Sequence, residues 1–179
     1  MKGKWAAGIP PRNFTWVIKD RLAMSERPGG FAPNHRRVRR QEEIIWLQGQ
    51  GFTTVVSLLP SSHNLQAYEE RSMPSVHFPV PSAGDVRSVL TDLYRELHHR
   101  LGAGERVLVH QEELSDRVTG TMAGYLLWSG RLPGGPQAIT VLEHLTEHPM
   151  GPAGRELVAF AGELTPVSEK AAADPPRHR

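Results

Sequence analysis

The sequence predicts an α/β fold in which a central, mostly parallel sheet of four to five strands is flanked by helices. Residues 53–59 (TTVVSLL) and 106–110 (RVLVH) are largely apolar runs of strand length, as expected for strands buried on both faces of a parallel sheet. Segments with helical periodicity alternate with these runs, which is the pattern of βαβ units. The 179 residues, of which 39% are hydrophobic, suffice for one domain with one core.

Two short strands and a helix precede the first buried strand. Residues 14–18 (FTWVI) are aromatic and β-branched, which predicts a strand, and Asp20 marks a turn into a second strand around Leu22–Met24. The stretch 26–34 (ERPGGFAPN) has the composition of a loop. Residues 36–51 place their apolar side chains in a helical pattern that glycines close.

The remaining elements continue the alternation. The same signals predict strands at 76–80 and 106–110, and helices at 64–71, 85–101, 119–128, 136–148 and 153–164. Residues 1–12 are expected to form an irregular arm. The polar, proline-containing stretch 165–179 is expected to be a disordered tail, which leaves 13–164 as the folded domain.

Composition excludes several classes of function. The sequence contains no cysteine, which rules out disulfides, thiolate metal sites and a cysteine nucleophile. The formal net charge of +2 provides no strong field that would attract nucleic acid or a membrane. No stretch approaches the ~18 apolar residues of a membrane span, and no signal-peptide run follows the first residues. We therefore expect a cytoplasmic protein, and the Arg-, Gly-, Pro- and Ala-rich composition suggests a bacterial one.

The basic motif HRRVRR at 35–40 has two interpretations. It could contact nucleic acid or an acidic partner, but it lacks the interleaved aromatic residues that stack on bases. We interpret it as an exposed helix flank in which Arg39 and Arg40 pair with Glu42 and Glu43.

The motif HLTEH at 144–148 has the spacing of a zinc-protease pattern, with two histidines four residues apart. Pro149 ends the predicted helix immediately afterwards, and no helix with a further glutamate ligand follows. We therefore expect neither a metal nor another cofactor.

Two stretches resemble the atypical dual-specificity branch of the protein tyrosine phosphatases. NFTWVIKDRLA at 13–23 is similar to the N-terminal pattern of that family. In VLVHQEELSDR at 107–117, His110 and Arg117 keep the spacing of the family's signature loop, which is His-Cys followed by five residues and Arg. The match continues without a gap to the Tyr125-Leu126 pair. The resemblance implies a cysteine-phosphatase-like fold over the whole predicted domain.

The resemblance also implies that the catalytic groups of the family are missing. Gln111 stands where the family has its cysteine nucleophile, and an amide forms neither a thiolate nor a phosphoenzyme. Ser82 aligns with the family's Asp general acid, and a serine hydroxyl has no proton of useful acidity near neutral pH. Asp85 could serve as the acid only if its loop shifted. Leu114 replaces the glycine that lets the loop wrap around a phosphate.

Three carboxylates in the same loop oppose anion binding. Glu112, Glu113 and Asp116 all lie within the stretch that would surround a phosphate. Two unit charges about 6 Å apart interact by roughly 3 kcal/mol at an effective dielectric constant of about 20. Three carboxylates could therefore repel a bound phosphate more strongly than one arginine attracts it. We expect that the loop neither hydrolyses nor strongly binds phosphotyrosine, and that Arg117 forms a salt bridge with one of these carboxylates.

The favoured hypothesis is a catalytically inactive phosphatase-like protein, a pseudophosphatase, that acts as a binding or regulatory module for an unidentified protein partner. Its vestigial site comprises Ser82 and the loop residues His110, Gln111, Glu112, Glu113, Leu114, Ser115, Asp116 and Arg117.

Three other interpretations stay open. In the first, the chain is a hydrolase of a different mechanism, with Glu112, Glu113 or Asp116 as general base or metal ligand and Arg117 holding an anionic substrate. In the second, the loop is a solvated polar turn that drifted after catalysis was lost. In the third, the protein contacts nucleic acid through the basic residues Arg36, Arg37, Arg39 and Arg40.

Overall fold

A computed structural model of the chain describes residues 7–31 and 33–167. The described residues form the strands β1 (Thr15–Ile18), β2 (Leu22–Glu26), β3 (Thr54–Ser57), β4 (Ser75–His77) and β5 (Val107–Gln111). Their helices are α1 (Arg37–Gly49), α2 (Leu65–Glu69), α3 (Val86–Gly102), α4 (Asp116–Trp128), α5 (Gly135–Thr146) and α6 (Pro152–Glu163). None of the helices in this part of the chain has the length and apolar composition needed to cross a bilayer.

The strands form one five-stranded sheet in the order β1-β2-β5-β3-β4. β1 pairs with β2 in the antiparallel sense, and the other neighbouring strands are parallel. β5 lies at the centre, where Val107 is opposite Leu22 of β2 and Thr54 of β3. The predicted α/β class with a mostly parallel sheet is confirmed.

Both faces of the sheet are covered by helices, and this explains the apolar runs. Val56 and Val109 point into a larger core formed with α3, α4, α5 and α6. Val55 and Leu108 point into a smaller core formed with α1 and α2. Because successive side chains of a strand point to opposite faces, a strand between two cores is apolar on both faces over most of its length.

Two elements differ in extent from the sequence prediction. The strand expected at 76–80 ends at His77, because Pro79 has no backbone N–H to donate to a neighbouring strand. The helix expected from Thr119 begins at Asp116 instead. A carboxylate in the first turn favours an earlier start, since it interacts with the positive end of the helix dipole.

Residues at both ends of the described part of the chain contact the folded domain. Pro11 is buried, and the carbonyl of Arg12 accepts a hydrogen bond of 3.0 Å from the N–H of Glu26. Val167 packs against the larger core, beyond the domain boundary expected at residue 164. Residues 1–6 and 168–179, the rest of the expected arm and tail, lie outside the described residues.

A close approach of two helices fixes α4, the helix that follows the candidate site. A Cβ atom placed on Gly120 of α4 would lie 2.5 Å from the Cα atom of Gly154 in α6. The two backbones therefore touch where both residues lack a side chain. This contact holds the start of α4, and the loop before it, in a fixed position.

Candidate functional site

The candidate site lies at the carboxyl end of β5, where residues 112–115 connect the central strand to α4. In open α/β sheets, ligands bind beyond the carboxyl ends of the strands, at the point where the strand order reverses. β5 lies between β2 and β3 in the sheet, although both of these strands come well before it in the sequence. The candidate loop therefore lies at the edge of the sheet where ligands usually bind.

His110 supports this loop from inside the protein. Its Nδ1 lies 3.2 Å from the carbonyl oxygen of Gln111, which can only accept, so Nδ1 carries the proton of a neutral ring. Its Nε2 accepts from the hydroxyl of Tyr68 at 2.8 Å and lies 3.4 Å from Nδ2 of Asn64. Burial lowers the pKa of His110 to about 4, so the ring is neutral at neutral pH. Tyr68 and Asn64 carry no sequence signal that links them to the loop.

Gln111, to which the family resemblance assigns the nucleophile position, ends β5 with its side chain turned across the loop. The hydroxyl of Ser115 donates to the Gln111 side-chain oxygen at 3.3 Å. Ser115 immediately precedes α4, so this bond joins the first and last residues around the loop. The amide thus acts as an internal bridge.

Arg117 does not form the expected salt bridge. Its Nη2 donates to the carbonyl oxygens of Val80 at 2.9 Å and Pro81 at 2.8 Å. Within the described residues, Arg117 makes no ion pair with a carboxylate, which corrects the sequence-based expectation. A hydrogen bond from a charged donor to a carbonyl contributes about 1.5–3 kcal/mol to stability, whereas an exposed ion pair contributes at most about 1 kcal/mol. The two carbonyls are therefore better partners for Arg117 than an exposed carboxylate.

The three loop carboxylates have separate positions. Glu112 pairs with Arg27 at 3.3 Å, and its carbonyl also accepts from the Arg27 N–H at 3.2 Å. Glu113 is exposed. Asp116 is the first residue of α4 and lies against the start of α6, since a Cβ atom on Gly151 would collide with its Oδ2. Asp116 therefore lies at two helix N-termini, positions where negative side chains are generally favoured.

Leu114 does not adopt the left-handed backbone conformation that glycine favours. Among the described residues other than glycine, a positive φ occurs only at Asn13, Asp20, Ser72 and Glu147. No residue of the loop is therefore in the left-handed region, which a glycine at the position of Leu114 could adopt. The Leu114 side chain is half-buried and packs against the larger core.

The predicted acid position has no acidic group. Ser82 is exposed, and it follows directly the two residues whose carbonyls bind Arg117. The Asp85 carboxylate accepts a hydrogen bond of 3.0 Å from the N–H of Ser88 and caps α3. Moving Asp85 into the loop would cost this cap, which is typically worth about 1 kcal/mol.

A buried ion-pair cluster, not anticipated as part of the site, supports the neighbouring loop after β2. Arg39 Nε donates to Glu43 Oε1 at 2.6 Å, which confirms one of the expected pairs, whereas Arg40 contacts His35 at 3.4 Å instead of a glutamate. Glu43 Oε2 accepts from the N–H of Gly29 at 2.6 Å. Burial raises the pKa of Glu43, and the bonds from Gly29 and Arg39 act in the opposite direction.

Within residues 7–31 and 33–167, no three His, Asp or Glu side chains lie close enough together to hold a metal ion.

Comparison with known proteins gives a fold but no close relative. No family model matches the chain, and no curated protein matches its sequence. The kinase associated phosphatase, solved with its catalytic-site cysteine substituted by serine, has a TM-score of 0.70 at 18% identity, over 92% of this chain and 98% of that chain. Human DUSP28 has a TM-score of 0.64 at 17% identity, over 87% of this chain and 96% of that one.

A third solved structure extends the comparison to a different phosphatase. The PP-IP phosphatase SIW14 from S. cerevisiae, in complex with citrate, has a TM-score of 0.65 at 15% identity, over 93% of both chains. These identities establish a shared fold and leave the chemistry to the residues of each site. The chain has the fold of the dual-specificity and protein tyrosine phosphatases, built from a sequence that contains no cysteine.

Proposed function

We propose that this chain is a catalytically inactive phosphatase-fold protein that acts as a binding or regulatory module. The observation that supports this most directly is the internal use of the polar groups of the loop. Gln111 bonds to Ser115, and the Arg117 guanidinium donates to the carbonyls of Val80 and Pro81. Neither a nucleophile nor an uncommitted cation faces a phosphate in this arrangement.

The loop carboxylates support a binding role better than a new hydrolytic mechanism. A general base needs a carboxylate that can approach a water molecule and the substrate together. Glu112 is paired with Arg27, and Asp116 lies between the starts of two helices. Glu112 is therefore already engaged by a cation, which leaves it less free to approach water and substrate.

Hydrolysis of p-nitrophenyl phosphate tests the proposal. We expect the folded protein to release p-nitrophenol no faster than a heat-denatured sample of the same preparation. A rate clearly above that blank, measured in the size-exclusion fractions that contain the full-length protein, would overturn the proposal.

A double variant separates loss of the nucleophile from a change of loop shape. Gln111→Cys with Ser82→Asp restores the two side chains that the family resemblance implies. We expect no turnover from this variant, because Leu114, Arg117 and the carboxylates still prevent a phosphate from seating. Circular dichroism and the melting temperature serve as the folding control.

A further inference from the structure

A cleft of about 250 Å³ opens next to the vestigial loop, on the side of α5 and α6. Leu114 and Asp116 from the loop line it, together with Leu142 and Glu143 of α5 and Met150 from the α5–α6 connection. Its size lies below the roughly 300–1,000 Å³ of pockets for drug-sized molecules, and corresponds better to one inserted side chain.

The lining of the cleft combines apolar surface with acceptors of hydrogen bonds. Leu114 and Pro149 supply accessible apolar surface, while Leu142 and Met150, which also line the cleft, are buried in the larger core. Asp116 and Glu143 supply carboxylates. An inserted side chain that matches this lining has an aliphatic stem and a cationic end.

Both carboxylates have oxygen atoms that are not used inside the described chain. The Asp116 carboxylate accepts no hydrogen bond from residues 7–31 or 33–167. Glu143 Oε2 accepts from the N–H of Met150 at 2.8 Å and lies 3.5 Å from Nη2 of Arg155, while its Oε1 makes no such bond with the described residues. Arg155 lies beside Glu143 only, and His148 also lines the cleft together with Thr119 and Thr146. Asp116 is therefore the lining carboxylate that no basic side chain of the described residues pairs with.

We propose that this cleft binds an arginine side chain from a basic segment of a partner protein. The planar guanidinium matches carboxylate oxygens as a double hydrogen-bond donor, and the three methylene groups of arginine match the accessible apolar surface of Leu114 and Pro149. A phosphorylated side chain is disfavoured by the same carboxylates. The inference rests on the proposed function. It assigns to the binding module a positively charged partner, whereas the substrate of a phosphatase is negatively charged.

Nuclear magnetic resonance of the full chain tests the inference with N-acetyl-arginine amide as the probe. The neutral isostere N-acetyl-citrulline amide is the matched control ligand. We expect saturable shifts at the amides of Leu114, Thr119 and Thr146, with a dissociation constant on the order of millimolar for this single side chain. Citrulline should bind about tenfold more weakly, because it lacks the charge.

Variants locate the binding to the cleft. Asp116→Asn and Glu143→Gln keep side-chain size, and each should weaken arginine binding about tenfold. Glu156→Gln removes an exposed carboxylate of α6 outside the cleft and should leave binding unchanged. Melting temperatures of all three variants provide the folding control.

The outcomes separate this inference from the proposed function. Absence of cleft shifts up to about 50 mM probe, equal shifts with citrulline, or unchanged binding in both folded cleft variants would overturn the inference. None of these results bears on catalysis. Turnover of the aryl phosphate would overturn the proposed function whatever the arginine titration gives.

Discussion

At the scale of single residues, the loop is organised by neutral hydrogen bonds and backbone carbonyls more than by pairs of opposite charges. His110 is fully buried and holds the carbonyl of Gln111 on one side and the hydroxyl of Tyr68 on the other. A charged imidazolium would lose the acceptor at Nε2 and would be desolvated. The site therefore depends on this ring staying neutral.

This dependence makes stability fall in mild acid. The pKa of His110 is about 4 in the folded protein and about 6.5 in an unfolded chain, so the unfolded state binds more protons between these values. The contribution is fully present above about pH 6.5 and is lost as the pH falls towards 4, with a slope of up to about 1.4 kcal/mol per pH unit.

Urea unfolding between pH 7 and 4 measures this slope. His110→Gln should be less stable at pH 7 and should show a flatter dependence of the unfolding free energy on pH. His99→Gln, which replaces an exposed histidine of α3, should keep the slope of the original protein. Equal slopes for His110→Gln and the original protein would show that His110 is not the group responsible.

Arg117 gives a second prediction at this scale. Its two hydrogen bonds tie residues 80 and 81 to α4, so Arg117→Met should loosen the segment between β4 and α3. Hydrogen exchange at the Phe78 and Val86 amides should accelerate about tenfold, equivalent to about 1.4 kcal/mol. Unchanged exchange in a folded Arg117→Met protein would contradict a structural role for these bonds.

A nearby ion pair provides the control for Arg117. Arg87 pairs with Glu163 at 2.5 Å beside the same segment, and both side chains are more than half exposed. Such pairs contribute little to stability, so Arg87→Met should leave the exchange of both amides nearly unchanged.

At the scale of elements, the packing of α4 on α6 decides where the loop ends. Gly120→Ala would place a methyl group 2.5 Å from the Gly154 backbone, which cannot move aside without displacing a helix. The gain in helix propensity of up to about 1 kcal/mol is smaller than the cost of the clash, so we expect a net destabilisation of about 1–3 kcal/mol. Denaturant unfolding measures the difference.

The chain contains a matched control for this substitution. Gly102 is the last residue of α3 and has no atom within 4 Å of an added Cβ. Gly102→Ala should therefore be neutral or slightly stabilising. If both variants have the same stability, the close helix contact does not limit the fold.

The elements also show what a sequence can reveal. The strands β3 and β5 were predictable because a run buried on both faces is mostly apolar, and α3 because its apolar residues recur at helical spacing. β4 ends early because of Pro79, which cannot donate a backbone hydrogen bond. The apolar residues on both sides of Pro79 nevertheless led to the prediction of a longer strand. Local signals of this kind predict that an element exists better than they predict the residues at which it ends.

The contacts of the loop were less predictable, because they join distant parts of the chain. Arg27 follows β2 as Glu112 follows β5, and the two become neighbours because Glu26 is paired with Gln111. The sequence does not give this strand order. The partners of Arg117 are carbonyl groups, which every residue has and which no pattern of charges can indicate.

At the scale of the whole molecule, a phosphatase fold presents a loop that is filled by its own side chains. Gln111 bridges to Ser115, Arg117 is bound to the segment after β4, and Asp116 provides the negative charge at the start of α4. The positive end of that helix is where a phosphate would otherwise bind. The central claim is that the loop does not accept an oxyanion.

Titration of the isotope-labelled protein with inorganic phosphate at low salt tests this claim most directly. The amides of residues 111–118 are the reporters, since a phosphate seated in the loop would lie against them. We predict no saturable shifts at these amides up to about 50 mM phosphate. Saturable shifts confined to residues 111–118, with a dissociation constant below about 1 mM, would contradict the claim.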